Sequence, residues 1–313
     1  MTHLCRFFAF IFLLCTIFNP QIRFADGSNG YGGRHSYSLT TFDPSGNLDQ
    51  VGRAVRASML GAPVVALSIL SSETIDEPDE GIYICIPLRF LGTESPLIID
   101  DGTPRIVSIS SSICICHTGV GADGRALCDV AVALALDHRY LYGEEISLEE
   151  LLEALAEKVQ EMTMKAGSRP YGCALLVACL GSGNDNGNGD DRGKEATMYR
   201  IDPSGSVELL NGNSDDVNVE KRRKSSIAFL GNWNIKKEQE LRSRFNSQQY
   251  INEGQVQDAL IGAIESNDST NTHSTSNDRR SNQTFLYASF TRKGGLRISR
   301  ITSGNNDDAK NTL

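Results

Sequence analysis

The sequence predicts a layered α+β domain in which a pair of long helices lies by one face on a sheet. Three observations carry that prediction. Residues 112–180 read in the order strand, helix, helix, strand. Both helices keep their apolar residues on one side, as helices resting on a core do. Both strands are near-continuous apolar runs, the pattern of strands covered on both faces.

In chain order, residues 1–33 precede the domain. Phe7 to Phe18 is a largely apolar run after Arg6. It suits the core of a signal peptide and is too short to span a bilayer. Two readings stand: a secretory or organelle leader, or an extension that the fold does not use. The sequons at Asn267 and Asn282 would matter only in the first case. Gly27 to Gly33 is a flexible lead-in, and Asp43-Pro44-Ser45-Gly46 carries the residues a type I turn favours. From Asn47 the chain turns helical, with Leu48, Val51, Val55 and Met59 on one stripe. Gly61-Ala62-Pro63 stops that helix, and Val64 to Leu70 is strand-like.

Ile113 to Cys116 is a buried strand that stops at His117-Thr118-Gly119. From Ala122 to Tyr142 apolar residues recur at three and four (Leu127, Val130, Ala131, Leu134, Leu141) in an Ala- and Leu-rich stretch. The second long helix has a capping box in Ser147 and Glu150, with Ile146 and Leu151 as a staple. Leu148, Leu151, Leu152, Leu155, Val159 and Met162 share its stripe, and Gly167 and Pro170 end it. Tyr171 to Leu180 is the fourth piece. Ala196 to Ile201, a second Asp-Pro-Ser-Gly turn and Val207 to Leu210 form a hairpin. Trp233 to Phe245 and Gly254 to Ile264 read as helices, and Phe285 to Phe290 with Leu296 to Ile301 as a closing strand pair. Residues 181–195, 211–226 and 266–283 are low-complexity insertions and 302–313 a polar tail. Lys221-Arg222-Arg223-Lys224 is read as a solvated loop in preference to a nuclear localisation signal.

A chain of 313 residues with 40% hydrophobic content can build a sizeable core, and its net charge of −9 disfavours nucleic acid as a partner. Eight cysteines are too dilute for a disulfide scaffold. Cys85, Cys114, Cys116, Cys128, Cys173 and Cys179 sit in apolar stretches and are expected to be buried thiols. Cys114, Cys116 and His117 lack a further ligand pair, so neither a metal nor a cofactor is expected.

Ser-Leu-Thr-Thr-Phe-Asp-Pro-Ser-Gly-Asn-Leu-Asp-Gln-Val, residues 38–51, resembles the signature of the proteasome α-type subunits, above all their type-2 branch. The resemblance continues through Thr118-Gly119, Asp123, Arg125, Arg169-Pro170-Tyr171-Gly172, Tyr199 to Gly205 and Ala228 to Gly231, and spans about residues 34–264. It implies a four-layer αββα sandwich of the N-terminal-nucleophile hydrolase type over residues 34–301. It also implies a subunit without catalytic residues, in an outer heptameric ring that gates the passage of substrates for ubiquitin-dependent catabolism. The implied partners are other proteasome α subunits, β subunits and an ATPase regulatory particle or other activators. The implied location is cytoplasm and nucleus, unless the leader is real. The ring-mouth segment falls on Tyr37, Thr41, Phe42, Asp43, Pro44, Gly46 and Gln50.

The competing reading is an N-terminal-threonine peptidase built on Thr40 or Thr41. Leu39 precedes Thr40 where the peptidases of this type cleave after Gly, and no lysine occurs before Lys158. The chain also departs from the α pattern. Gly52-Arg53 stands where the family usually has Glu-Tyr, and Arg89 is the candidate for the pocket lysine that receives regulator tails. A diverged paralogue outside the particle is the remaining alternative.

Overall fold

The computed structural model of the chain describes residues 38–43, 46–69, 78–88, 104–165, 167–181, 196–210, 225–247, 252–271 and 284–302. In chain order the elements are α1 (Asp49–Met59), β1 (Val64–Ile69), β2 (Gly81–Pro87), β3 (Ile106–Ser108), β4 (Ile113–Gly119), α2 (Gly121–Tyr142), α3 (Leu148–Met164) and β5 (Cys173–Cys179). There follow β6 (Thr197–Ile201), β7 (Val207–Leu209), β8 (Ser225–Leu230), α4 (Ile235–Ser247), α5 (Glu253–Asn271), β9 (Thr284–Thr291) and β10 (Gly295–Thr302). The strands form two antiparallel sheets, in the orders β10-β9-β2-β1-β8 and β3-β4-β5-β6-β7.

Strand alternation sets the layers. In β1, Val64 and Ala66 join the core between the sheets, while Val65, Leu67 and Ile69 meet Leu241, Phe245, Val256, Leu260 and Ile264 of α4 and α5. In β5, Ala174, Leu176 and Ala178 face the other sheet, while Leu175 and Val177 meet Leu127, Ala131, Leu151, Leu155 and Val159 of α2 and α3. The order is therefore helices, sheet, sheet, helices: a four-layer αββα sandwich that fits the N-terminal-nucleophile hydrolase architecture. Alanine recurs in the middle layer (Ala66, Ala174, Ala178, Ala228, Ala288), where small side chains let two sheets approach.

The helix signals act as the sequence suggests. The Glu150 N–H donates to Ser147 Oγ, and Glu150 Oε2 accepts from the Ser147 N–H, both at 3.3 Å. Ile146 and Leu151 are both buried beside that cap. Gly143 closes α2 at φ +77°, a left-handed geometry that suits glycine.

Four expectations need correction. β2 and β3 are strands that the sequence pattern had not singled out, although β2 is buried along its whole length. Ser225 and Ser226 belong to β8 rather than to a polar insertion, and Ser226 hydrogen-bonds Ser68 at 2.7 Å inside the sandwich. The stretch 266–283 begins as helix, because α5 continues to Asn271, and β10 runs to Thr302. The fourth concerns α1. Its buried residues are Ala54 and Ser58, whereas Leu48, Val51 and Val55 are half-buried and Met59 is exposed. The helix lies on its small residues because it crosses the ends of β4 and β5 at close range. The Cα of Ser58 is only 3.0 Å from where a Cβ on Gly119 would stand.

Gly52 lies inside α1 with open space around its Cβ direction. Gly52→Ala should therefore raise the free energy of unfolding by about 1 kcal/mol. Urea denaturation would show it as a higher midpoint at unchanged slope.

Candidate functional site

The segment before α1 is ordered by its own polar side chains. The Ser38 hydroxyl donates to Thr41 Oγ1 at 2.8 Å and accepts the Thr41 N–H at 3.1 Å. Asp43 then closes a turn. Its carbonyl accepts the Gly46 N–H at 2.9 Å, and its Oδ1 accepts the Asn47 N–H at 2.7 Å. Gly46 sits at φ +84°. At the second Asp-Pro-Ser-Gly two of these features recur, the Gly205 N–H on the Asp202 carbonyl at 2.8 Å and Gly205 at φ +83°. Their surroundings differ. Gly205 is packed on Ala156 and Gln160 of α3, whereas no atom of the described residues lies within 4 Å of where a Cβ on Gly46 would stand.

α1 enters β1 through a node of glycines. The Thr118 hydroxyl donates to the Ala62 carbonyl at 2.6 Å, and the Asn232 N–H to the Gly61 carbonyl at 3.0 Å. A Cβ on Gly61 would overlap the Gly119 backbone, one on Gly119 the Gly172 carbonyl, and one on Gly231 the Ala62 carbonyl. Gly119 and Gly231 also have positive φ, so both local geometry and space exclude a side chain there.

Beside the node, Asp123 on the first turn of α2 holds the loop into β5. It accepts from Arg169 Nη1 at 2.6 Å and Nη2 at 2.8 Å, and from the Gly172 N–H at 2.8 Å. These bonds, the Arg169 guanidinium first, hold its carboxyl below its ordinary range although burial opposes them. His117 lies on the helix-facing side of β4 against Gly124, where a Cβ would overlap the imidazole. Its Nε2 is buried without a hydrogen-bond partner among the described residues. Burial, with help from the positive charges of Arg105 and Arg125, pushes its pKa down to about 4.

Of the ring-mouth residues read from the sequence, Thr41 and Gly46 are exposed, Phe42 is 62% exposed, and Asp43 and Gln50 are half-buried. Tyr37, Pro44 and Arg89 lie outside the described residues, as do residues 1–33, Asn282 and the 221–224 basic run. Asn267 does not lie in a polar loop. It is 0% exposed on α5, its Nδ2 donates to the Asn232 carbonyl at 2.9 Å, and its Oδ1 accepts the Asn234 N–H at 3.1 Å. The folded chain therefore closes that sequon. Cys114 and Cys116 point between the sheets while His117 points toward α2, so the three do not converge. Burial pushes the Cys128 and Cys173 thiols up to about 12 and leaves them protonated at neutral pH. The Thr118 and Asn267 bonds had no periodicity to announce them; Thr118 stood out only as a motif residue beside Gly119.

The family model described as a proteasome subunit matches residues 91–211, which take in β3 to β7 with α2 and α3. Proteasome subunit alpha type-2 of Caenorhabditis elegans is 32% identical over 175 residues, covering 56% of this chain and 65% of that protein. The type-2 subunit of Drosophila melanogaster is 34% identical over 172 residues, covering 55% and 64%. The proteasome subunit alpha of Aeropyrum pernix is 33% identical over 168 residues, covering 54% and 57%. Over these stretches the chain is similar to α-type subunits of the proteasome. The matched part spans less than two thirds of each of these relatives. Asp123, Arg169 and Gly172, which the family motifs singled out from scattered positions, form one hydrogen-bonded unit here.

The low His117 value makes the fold acid-sensitive with a definite sign. The unfolded imidazole takes its proton near 6.5 and the folded one near 4, so stability is full above pH 6.5 and falls as pH drops between the two. At about 1.4 kcal/mol per unit, the loss reaches roughly 3 kcal/mol by pH 4. Asp123, whose folded pKa is depressed, begins to lose its contribution only below its own ordinary value of 3.8. Chemical denaturation across pH 7 to 4 should show that His117→Gln flattens the upper part of this profile; an unchanged slope would contradict it.

Proposed function

We propose that this chain is a non-catalytic α-type subunit of the proteasome core particle, which builds the outer heptameric ring and helps gate the passage of substrates. The observation that carries the proposal is the head of β1. In the peptidase subunits a threonine freed after a glycine stands at such a strand head, and its own amine serves as base. Here the run at the head of β1 is Gly61-Ala62-Pro63, with α1 laid across the strand ends. Ala62 has no hydroxyl, and its carbonyl is taken by Thr118. Thr40 and Thr41 precede α1 in an irregular exposed segment.

The uncovered side of α1 supports membership of an assembly. Val51 and Val55 are only half-buried, Met59 and Leu60 are exposed, and Phe42 extends from the preceding turn. In a heterologous ring such surface meets a neighbour of the same family. Gating falls to Thr41, Phe42, Asp43, Gly46 and Gln50, with Tyr37 and Pro44. The partners on this reading are other α subunits, β subunits and regulatory particles, in cytoplasm and nucleus, in the service of ubiquitin-dependent protein catabolism.

Gly52-Arg53 on α1 favours the other reading, a diverged paralogue outside the particle, since it changes the charge and the helix propensity of the ring-mouth helix. Affinity purification of the tagged chain from its native cell separates the two. Co-elution with other α and β subunits in one large particle is expected. Recovery as a lone monomer, or from the secreted fraction, would overturn the assignment.

A further inference from the structure

The buried amide of Asn267 joins the outer helical layer to the ring-mouth helix through a continuous set of hydrogen bonds. Asn267 grips the β8–α4 turn at two points, the carbonyl of Asn232 and the N–H of Asn234. That turn in turn grips the α1–β1 joint at two points. The Asn232 N–H donates to the Gly61 carbonyl at 3.0 Å, and Trp233 Nε1, shared between two carbonyls, donates to Leu230 at 2.9 Å and to Val64 at 3.2 Å. Gly231, at φ +83°, is pressed against the Ala62 carbonyl and Thr118 Oγ1, so the turn cannot shift without moving the joint. An asparagine suits this place because one side chain offers both an N–H donor and a carbonyl acceptor, and here both are used on backbone groups. Each is a buried polar group that becomes costly if its partner is removed.

We infer that Asn267 is the positioning residue for α1: it fixes the β8–α4 turn, and through that turn it sets where the ring-mouth helix leaves the sandwich. The inference deepens the proposed gating role, since the helix that would line the ring mouth is aligned from α5 on the far face of its sheet. A displacement of α5 is therefore transmitted to α1 without passing through the middle of the sandwich, along groups in direct contact.

Hydrogen exchange read by mass spectrometry on the purified full-length chain tests this, and the readout stands whether or not the chain enters a particle. In Asn267→Ala, amides of residues 55–64 and 231–236 should exchange about tenfold faster, as for a local opening, while the slow amides of β2 and β9 stay as in the parent. Ile264→Val, a core truncation one turn away on the same helix face, loosens packing without touching the amide and serves as control. It should show no selective acceleration at 55–64. If Asn267→Ala does not fold, Asn267→Asp keeps the oxygen that serves Asn234, loses the donor to Asn232, and should show the same local pattern. Unchanged exchange at 55–64, or acceleration shared equally with β2 and β9 as in the control, overturns the inference.

Discussion

A close approach that admits no Cβ governs the top of this sandwich. Gly61, Gly119 and Gly231 come from the end of α1, the end of β4 and the end of β8, and each lies against a neighbouring backbone, Gly119 against the Gly172 carbonyl at the start of β5. The two sheets are joined there by the Thr118–Ala62 bond, and α2 is joined to the same point by Asp123. Everything read as functional hangs from this contact. It fixes the direction in which α1 leaves β1, and α1 carries the turn at Asp43–Gly46 before it. It also explains why α1 buries alanine and serine: larger side chains would not let a helix axis come so near the strand ends.

That geometry leaves a helix seated on its small residues with part of its apolar stripe unused. In an isolated domain this is an unfavourable disposition, since half-covered valines and an exposed methionine forgo burial that the chain could have supplied. It becomes intelligible if a neighbour supplies the cover. The two turns make the same point. Gly46 and Gly205 share a positive φ and an N–H bond back to an aspartate carbonyl, yet a Cβ on Gly205 would press onto α3 while one on Gly46 would meet no described atom within 4 Å. Local sequence specifies the turn; tertiary context decides whether it is packed. Divergence at Gly52-Arg53 weakens α1 without disturbing its seat, because both residues lie off the Ala54–Ser58 face.

Much of the layering was legible in the sequence because it rests on local signals. The capping box at Ser147, the Ala- and Leu-rich helix after Gly121 and the apolar run into β5 each announce themselves within a few turns of chain. β2 and β3 were harder to read. β2 is a short apolar run, introduced by Pro78-Asp79-Glu80-Gly81, that was passed over, and β3 is three residues long. The buried face of α1 does not follow from its apolar stripe for a physical reason: the largest apolar residues mark a stripe, but close helix–strand packing selects the smallest. Asn267 was misread because a polar, Ser- and Asn-rich composition is the signature of loops. A single asparagine that satisfies two backbone groups in the interior is invisible to composition. The Asp123–Arg169 unit was visible only as family motif residues; that the two touch is information of the fold.

α1 and the two sheets are held by a contact too close for a side chain, and equilibrium urea unfolding of Gly119→Ala beside Gly121→Ala measures what that contact is worth. The two glycines are two positions apart, but Gly119 has φ +103° and the Gly172 carbonyl where its Cβ would go, while Gly121 opens onto empty space. Gly119→Ala should lose about 3 kcal/mol or more, from left-handed strain of roughly 1–2 kcal/mol together with overpacking of roughly 1–3 kcal/mol. Gly121→Ala should change stability by no more than about 1 kcal/mol. Equal effects at the two positions would show that no such close contact holds the node.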